Sequence, residues 1–233
     1  VEYDRGRLSA IRGALNRFLI DGYVMSPPGA RLDMWEWVQR HLLPILPVSA
    51  YDGPGGLALV LWRWSATSVD AVAHIRAGDG CDRISPLEYT QRDTVANEYR
   101  FGFCARAQDG RMARTFVLSG SSATLAEDAT AVRSGACTSS VGVYGLRPWE
   151  GSSRYVYDQA TAGMVCGWMA AANAQQALLV TYQCPPDIAA HLGPGDVVLL
   201  TDSEIGAAGW LCFVLAAPAR AGEWSEVSLR RIR

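Results

Sequence analysis

The sequence predicts an α+β protein with two lobes, each built from helices packed on a small antiparallel β-barrel or sandwich. An apolar stripe with helical spacing, Leu8, Ile11 and Leu15, indicates a first helix. Alternating apolar and polar residues between 95 and 103 indicate a strand, because strand side chains alternate between two faces. Short apolar runs separated by Gly and Pro after residue 177 indicate several more strands.

The predicted N-terminal lobe spans residues 1–118. Its second helix is expected to begin at Asp33, with Glu36 three residues on as in a capping box, and to end before Pro44. Residues 57–64 are typical of a buried strand, although Arg63 interrupts their apolar character.

Two more elements are expected in this lobe. Ser68 would cap a short helix that carries Val69, Val72 and Ile75 on one face. A hairpin is predicted over residues 94–118, in which Asp109-Gly110 provides the turn.

A composition rich in Ser, Ala, Thr and Gly marks residues 119–143 as a linker, which could instead contain one short helix around 123–132. The C-terminal lobe, residues 144–233, is predicted to contain a long uncharged helix over 158–177, packed on a small β-barrel-like sheet. Its strands are expected at residues 178–184, 196–201, 210–216 and 224–230.

Composition excludes several classes of function. The chain contains no lysine and its formal net charge is −2, so charge gives no reason to expect binding to nucleic acid or to a membrane surface. No apolar stretch has the length of a membrane span. The first residue is Val1 rather than Met, so a fragment of a longer protein and a whole chain both stay open as expectations.

The cysteines indicate neither a zinc site nor a redox motif, because none of them forms a CxxC pair. Several lie in apolar runs, which favours reduced thiols in an intracellular assembly environment. The six residues are Cys81, Cys104, Cys137, Cys166, Cys184 and Cys212.

The candidate polar sites are three histidines and one loose acidic cluster. The histidines are His41, His74 and His191, the first two at predicted helix ends and the third before a turn. The acidic residues are Asp187, Asp196, Asp202 and Glu204. A calcium site or a glycosidase carboxylate pair would use such a cluster, but its spacing matches no calcium loop, and turn capping explains Asp196 and Asp202. We therefore assign no catalytic, cofactor-binding or metal-binding residue.

Three segments in order carry a family resemblance: Tyr144-Gly145-Leu146-Arg147, Ala160-Thr161-Ala162, and the run Leu192-Gly193-Pro194-Gly195-Asp196-Val197-Val198-Leu199-Leu200-Thr201-Asp202. This ordered set resembles the tail-hub, or baseplate hub, proteins of tailed bacteriophages, most clearly over residues 144–233. The resemblance implies tail-tube-like barrel domains, two in each chain. Three copies would form a ring that joins the tail tube to the tip or spike complex.

The function implied by the resemblance is structural and not enzymatic, with no cofactor. The expected partners are two further copies of the chain, the tail tube and the distal tail proteins, and the expected location is the virion tail tip after assembly in the cytoplasm of the host bacterium. Two alternatives stay open. A tail-associated cell-wall hydrolase would need converging carboxylates or a Cys–His pair. A glycan- or receptor-binding sandwich module would use exposed members of the eight tryptophans.

Overall fold

The computed structural model describes residues 11–13, 15–20, 33–53, 56–119, 123–125, 135–217 and 223–232. The chain divides into two compact units, each made of two chain segments. The first unit comprises Val1–Leu61 and Val95–Gln175, and the second comprises Trp62–Thr94 and Gln176–Arg233. These units interleave along the chain, whereas the predicted lobes, 1–118 and 144–233, follow one another.

The regular elements confirm the α+β class. The α-helices whose bounds are described are α1 (Met34–His41), α2 (Gly135–Tyr144), α3 (Gln159–Asn173) and the single turn α4 (Pro186–Ala189). Residues 11–13 and 15 of the predicted first helix are also helical, and Leu8 lies outside the described residues. The strands are β1 (Val48–Gly53), β2 (Gly56–Leu61), β3 (Ala71–Arg76), β4 (Asp82–Arg83), β5 (Glu88–Tyr89), β6 (Glu98–Ala105), β7 (Met112–Leu118), β8 (Ala123–Leu125), β9 (Pro148–Ser152), β10 (Leu178–Cys184), β11 (Val197–Asp202), β12 (Ala207–Ala216) and β13 (Ser225–Arg231).

The core of the first unit lies between α3 and a four-stranded sheet of order β8-β7-β6-β9. Strands β6 and β7 form the predicted hairpin, and β9 joins β6 in parallel. Asp158 caps α3, its side chain accepting from the amide of Thr161 at 2.8 Å. A Cβ at Gly163 would lie 3.3 Å from Phe116 Cζ, so a small residue allows the helix to approach the sheet closely. The lack of charge in α3 follows from this burial, since only Ala160 and Gly167 of the helix are exposed.

The second unit is built on a seven-stranded sheet. Its order is β3-β11-β12-β13-β10-β4, and β5 also pairs with β10. All neighbours are antiparallel except β3 and β11, which run parallel. The strands predicted at residues 178–184, 196–201, 210–216 and 224–230 correspond to β10, β11, β12 and β13.

This sheet curls, because its two end strands are consecutive in the chain. Only residues 77–81 separate β3 from β4, and Ala77 and Cys81 form an isolated bridge. The turn is tight: the amide of Gly78 donates to the carbonyl of Cys81 at 3.1 Å, and Gly78 and Gly80 have φ values of 81° and 78°. Among the described strands no ladder joins β3 to β4, so the sheet is open and curled and does not form the closed barrel that was one of the expected forms.

Two local predictions differ from the structure. The helix expected at Ser68 is a single 3-10 turn, Ser68–Asp70, capped by Thr67, and residues 71–76 continue as β3. The reason is pairing with β11, which a sequence window around Val72 does not show. In the predicted linker, residues 123–125 form β8 and residues 135–143 belong to α2. Most of the alternative helix around 123–132 lies outside the described residues.

We predict that Phe213→Ala destabilises the protein by about 3–5 kcal/mol, because it leaves a cavity in the core. Phe213 is fully buried, and its ring lies edge-on to Trp62 and Trp64 with centroids 5.3 and 5.0 Å away. Urea unfolding followed by tryptophan fluorescence measures the change. Trp224→Ala is the control, since Trp224 is 52% exposed and its loss should cost less than about 1 kcal/mol. Equal losses in the two variants would contradict this core assignment.

Candidate functional site

A cluster of polar side chains lies where the curled sheet of the second unit brings its ends together. It contains Asp202 at the end of β11, Tyr182 on β10, Arg83 on β4, and Glu204, and we call it the Asp202 cluster. The hydroxyl of Tyr182 donates to Asp202 Oδ2 at 2.6 Å, and the amide of Glu204 donates to Asp202 Oδ1 at 2.9 Å. Arg83 Nε lies 3.4 Å from Asp202 Oδ2, and Arg83 Nη2 lies 2.5 Å from Glu204 Oε2.

The carboxylate of Asp202 is buried, with 1% of its side chain exposed, and both of its oxygens are engaged. Burial, together with the hydrogen bond to Asp202, raises the pKa of Tyr182, so the phenol stays a neutral donor. Strands β12 and β13 separate β11 from β10 in the sheet order, so the bond from Tyr182 to Asp202 spans the curl. The arrangement fastens strands together. Each oxygen of Asp202 accepts a hydrogen bond from the protein, and the side chain is 1% exposed.

The four acidic residues of the predicted cluster have separate roles. Asp202 and Glu204 share Arg83, whereas Asp196 Oδ2 accepts from the amide of Gly193 at 2.8 Å and stabilises its own turn. Asp187 lies in the first turn of α4. Within the described residues no group of three or more His, Cys, Asp or Glu side chains could hold a metal ion.

The three histidines lie apart from one another in the fold. His41 is in the last turn of α1, as predicted, and its ring centroid lies 5.6 Å from that of Tyr155. His74 lies on β3 and not at a helix end, and its Nε2 is 2.9 Å from Thr201 Oγ1. Burial, and to a lesser extent the charge of Arg76, lowers the pKa of His74. His191 is exposed after α4.

The tryptophans contribute mainly to the two cores. Trp224 alone among the eight is exposed, and all eight lie in described segments. In the first unit Trp168 Nε1 donates to the carbonyl of Ile45 at 3.1 Å. In the second unit Arg231 lies over the ring of Trp210, 3.9 Å from its centroid.

A buried asparagine fixes an exposed apolar loop in the first unit. Asn97 is fully buried, and its Nδ2 donates to the carbonyl of Gly145 at 2.7 Å, while its Oδ1 accepts from the amide of Arg147 at 2.7 Å. Gly145 has a φ of 72°, a conformation that favours glycine. The loop presents Val143 and Leu146, which are 66% and 62% exposed. We call residues 143–146, the last two residues of α2 and the two that follow it, the apolar loop.

The second exposed apolar feature is one edge of the curled sheet. Among the described strands, β3 has a neighbour on one side only. Val72 on this strand is 58% exposed, and Val69, just before it, is 93% exposed. The opposite end of the sheet is closed by the two-residue strands β4 and β5, which carry three charged residues. Short charged edge strands resist pairing with other chains, whereas a longer edge with exposed valines does not.

Sequence reasoning found Asp202, Glu204 and the Tyr144-Gly145-Leu146-Arg147 segment but missed the residues that hold them. Tyr182 could have been found from the alternation of buried residues in β10, which places it on the inner face. Asn97 is a polar residue at an inward position of the predicted hairpin, which signals a buried hydrogen-bonding role. Nothing in the local sequence around Arg83 indicates its partners.

No protein-family model matches the chain, and no curated protein matches its sequence. Partial structural similarity was found to three solved tail proteins. They are the prophage tail protein gp18 from Listeria monocytogenes EGD-e (TM-score 0.44, 12% identity, 89% of this chain and 55% of that one), a tail protein from Neisseria meningitidis MC58 (0.46, 13%, 96% and 65%) and the 43 kDa tail protein of prophage MuSo2 from Shewanella oneidensis (0.45, 14%, 100% and 69%).

The chain thus spans 55–69% of the length of these solved proteins. TM-scores below 0.5 at such low identity do not establish a common function. No helix in the described part of the chain has the length and hydropathy needed to cross a membrane.

We predict that Asp202→Asn lowers the free energy of unfolding by about 2–4 kcal/mol, because it leaves the largely buried Arg83 without its buried counter-charge. Urea unfolding at neutral pH measures the loss. Glu204→Gln is the matched control: its side chain is 76% exposed, and exposed ion pairs contribute about 1 kcal/mol or less. If Glu204→Gln costs as much as Asp202→Asn, the buried carboxylate is not what fastens the strands.

A second prediction concerns alkaline pH under reducing conditions. Burial raises the pKa of Cys166 and Cys212 to about 12 from an ordinary value of 9.0, so the unfolded chain loses these protons first as the pH rises. The contribution of these two thiols to stability is therefore complete below pH 9 and falls between pH 9 and 12, by about 1.4 kcal/mol per pH unit for each thiol.

Urea midpoints measured from pH 7 to pH 10.5 test this pH dependence. Cys212→Ala should make the urea midpoint fall less steeply with rising pH. Cys104→Ala, which changes a partly exposed thiol, should give the same dependence of the midpoint on pH as the wild type. A Cys212→Ala slope identical to that of the wild type would show that this thiol does not titrate on unfolding.

Proposed function

We propose that this chain is a structural subunit of a phage tail, or of a particle derived from one, and that three copies form a hub ring between the tail tube and the tip complex. The observation that carries the proposal is the apolar loop. It combines exposed apolar side chains with a backbone held by hydrogen bonds to Asn97, and it overlaps the Tyr144-Gly145-Leu146-Arg147 segment on which the family resemblance rests.

The hydrogen bonds that hold the apolar loop matter physically. A loop held by two hydrogen bonds to the buried Asn97 loses little conformational entropy when another chain covers it. Val143 and Leu146 therefore gain most of the free energy of their burial when a partner binds. Aliphatic side chains on a fixed backbone are suited to an interface between protein subunits.

The β3 edge supports the same proposal. An unpaired edge strand with exposed valines can accept a strand from another copy, and a closed ring then leaves no edge open. The ring would join the hexameric tube to threefold tip proteins through such contacts. In this role the chain holds other proteins in place and carries out no chemical step. Its site of action is the virion tail tip, after assembly in the bacterial cytoplasm.

The proposal predicts particles with three times the 25.2 kDa mass of one chain in light scattering after size-exclusion chromatography, and rings with threefold symmetry in negative-stain electron microscopy. Leu146→Asp should weaken association at least about tenfold, because it places a charge in a desolvated contact. Leu19→Asp is the control: Leu19 is 64% exposed, outside the apolar loop, and should leave the assembly intact.

Two results would count against the proposal. A wild-type chain that remains a folded monomer at tens of micromolar would exclude the ring. A trimer unaffected by Leu146→Asp, with unchanged unfolding midpoints for both variants, would show that the apolar loop is not the contact.

A further inference from the structure

Two cysteines of the second unit face each other across neighbouring strands. In the antiparallel pairing of β4 with β10, Arg83 lies opposite Tyr182 and Asp82 lies opposite Gln183. Continuing this register by one residue places Cys81 opposite Cys184, the last residue of β10. The two residues are more than one hundred positions apart in the chain, so no sequence motif marks them as a pair.

The pairing geometry suits a covalent bond. The amide of Ile84 donates to the carbonyl of Thr181 at 3.0 Å, which makes those two a hydrogen-bonded pair. Bonded and non-bonded pairs alternate along antiparallel strands, so Cys81 and Cys184 form a non-bonded pair, with Cα atoms about 4.5 Å apart. Disulfides span Cα distances of about 4.4–6.8 Å. The two thiols are already hydrogen-bonded to each other, and both residues are fully buried.

We propose that Cys81 and Cys184 are a site of reversible disulfide formation, with a small-molecule disulfide such as glutathione disulfide as the oxidant. One thiol loses its proton to water, and its thiolate attacks a sulfur of glutathione disulfide, which breaks that S–S bond and releases one glutathione. The second protein thiol then loses its proton to water, and its thiolate attacks the protein sulfur of the mixed disulfide, breaks that S–S bond and releases the second glutathione. Two electrons pass from the protein to the oxidant, and each glutathione leaves as a thiolate that takes up one proton.

Access to the pair comes from local opening of the sheet end. Burial raises the pKa of both thiols, so neither is a nucleophile while the strands are closed. Strand β4, however, is only two residues long, lies at the end of the sheet, and follows a turn with two glycines in the left-handed region. Such an edge opens at far lower cost than the whole unit. Oxidation is therefore expected to be slow in buffer and several-fold faster in urea well below the unfolding midpoint.

The bond would lock the sheet at the point where its ends meet. It would join the start of β4 to the end of β10, two positions away from Arg83 and Tyr182, and it would close a loop of about one hundred residues. Closing so long a loop restricts the unfolded chain strongly. The reduced chain would fold first, and a more oxidising environment would then stabilise the finished unit. This inference is independent of the proposed function.

The test is to incubate the reduced full chain with glutathione disulfide, alkylate it with N-ethylmaleimide under denaturing conditions and map it by mass spectrometry. Because the chain has no lysine, trypsin releases residues 77–83, which contain Cys81 alone, and residues 155–220, which contain Cys184 with Cys166 and Cys212. A second digestion after aromatic residues cuts at Trp168, Tyr182 and Trp210 and leaves Cys184 in a peptide of its own.

We expect two fewer maleimide adducts than in the reduced protein, a cross-link between the peptides of Cys81 and Cys184, and a melting temperature raised by about 5 °C or more, reversed by dithiothreitol. Cys212→Ala, which removes another buried thiol of the same unit, should keep the cross-link, and Cys184→Ala should lose it. If Cys184→Ala does not fold, the wild-type map with both proteases decides the question alone.

Several outcomes would overturn the proposal. They are full alkylation of all six cysteines after oxidation, a cross-link from Cys81 to Cys166 or Cys212, a glutathione adduct on Cys81 that never resolves, or a cross-link that forms only once the chain is completely unfolded.

Discussion

The bonds around Asp202 hold the second unit in its curled form. The short connection of residues 77–81 brings the two end strands of this sheet, β3 and β4, close together. Buried hydrogen bonds and an ion pair then stabilise the curled sheet. Asp202 forms these interactions with Tyr182 and Arg83, which come from strands at the other side of the curl. The apolar interior depends on this closure. Its fully buried members include Ile75, Val198, Leu200, Val227 and Leu229.

Burying the charges of Asp202 and Arg83 costs desolvation free energy. The ion pair therefore stabilises the fold only if hydrogen bonds compensate for that cost. The Asp202 carboxylate accepts a hydrogen bond on each oxygen, and Arg83 also forms an ion pair with the exposed side chain of Glu204. A general acid or nucleophile would need the reverse, an oxygen free to meet a substrate. The same four residue types can form a catalytic site or a structural tie, and which one they form is decided by the hydrogen bonds they complete.

The sequence was informative wherever the physical cause was local. The Asp33 cap of α1, the hairpin of β6 and β7, and the extent of β10 follow from neighbouring residues, and the structure confirms them. Residues 68–75 have helical spacing, yet most of them form β3, because β11 offers a parallel edge from more than one hundred positions away. Arg83 lacks any local signal for the same reason: its partners come from a distant segment. The pattern of strands in the sequence likewise does not indicate whether the sheet is open or closes into a barrel.

The burial of α3 removes one argument for assembly and strengthens another. An uncharged helix could have marked an interface with a neighbouring subunit, but its own unit covers nearly all of it. Exposed apolar residues lie elsewhere, among them those of the apolar loop and those beside β3, where they contribute little to the stability of a single chain. The fully buried side chain of Asn97, from outside the apolar loop, holds the backbone that presents Leu146 to solvent. In the proposed assembly, Asn97 prepares the apolar loop for a partner because it holds the backbone at Gly145 and Arg147 before the partner binds.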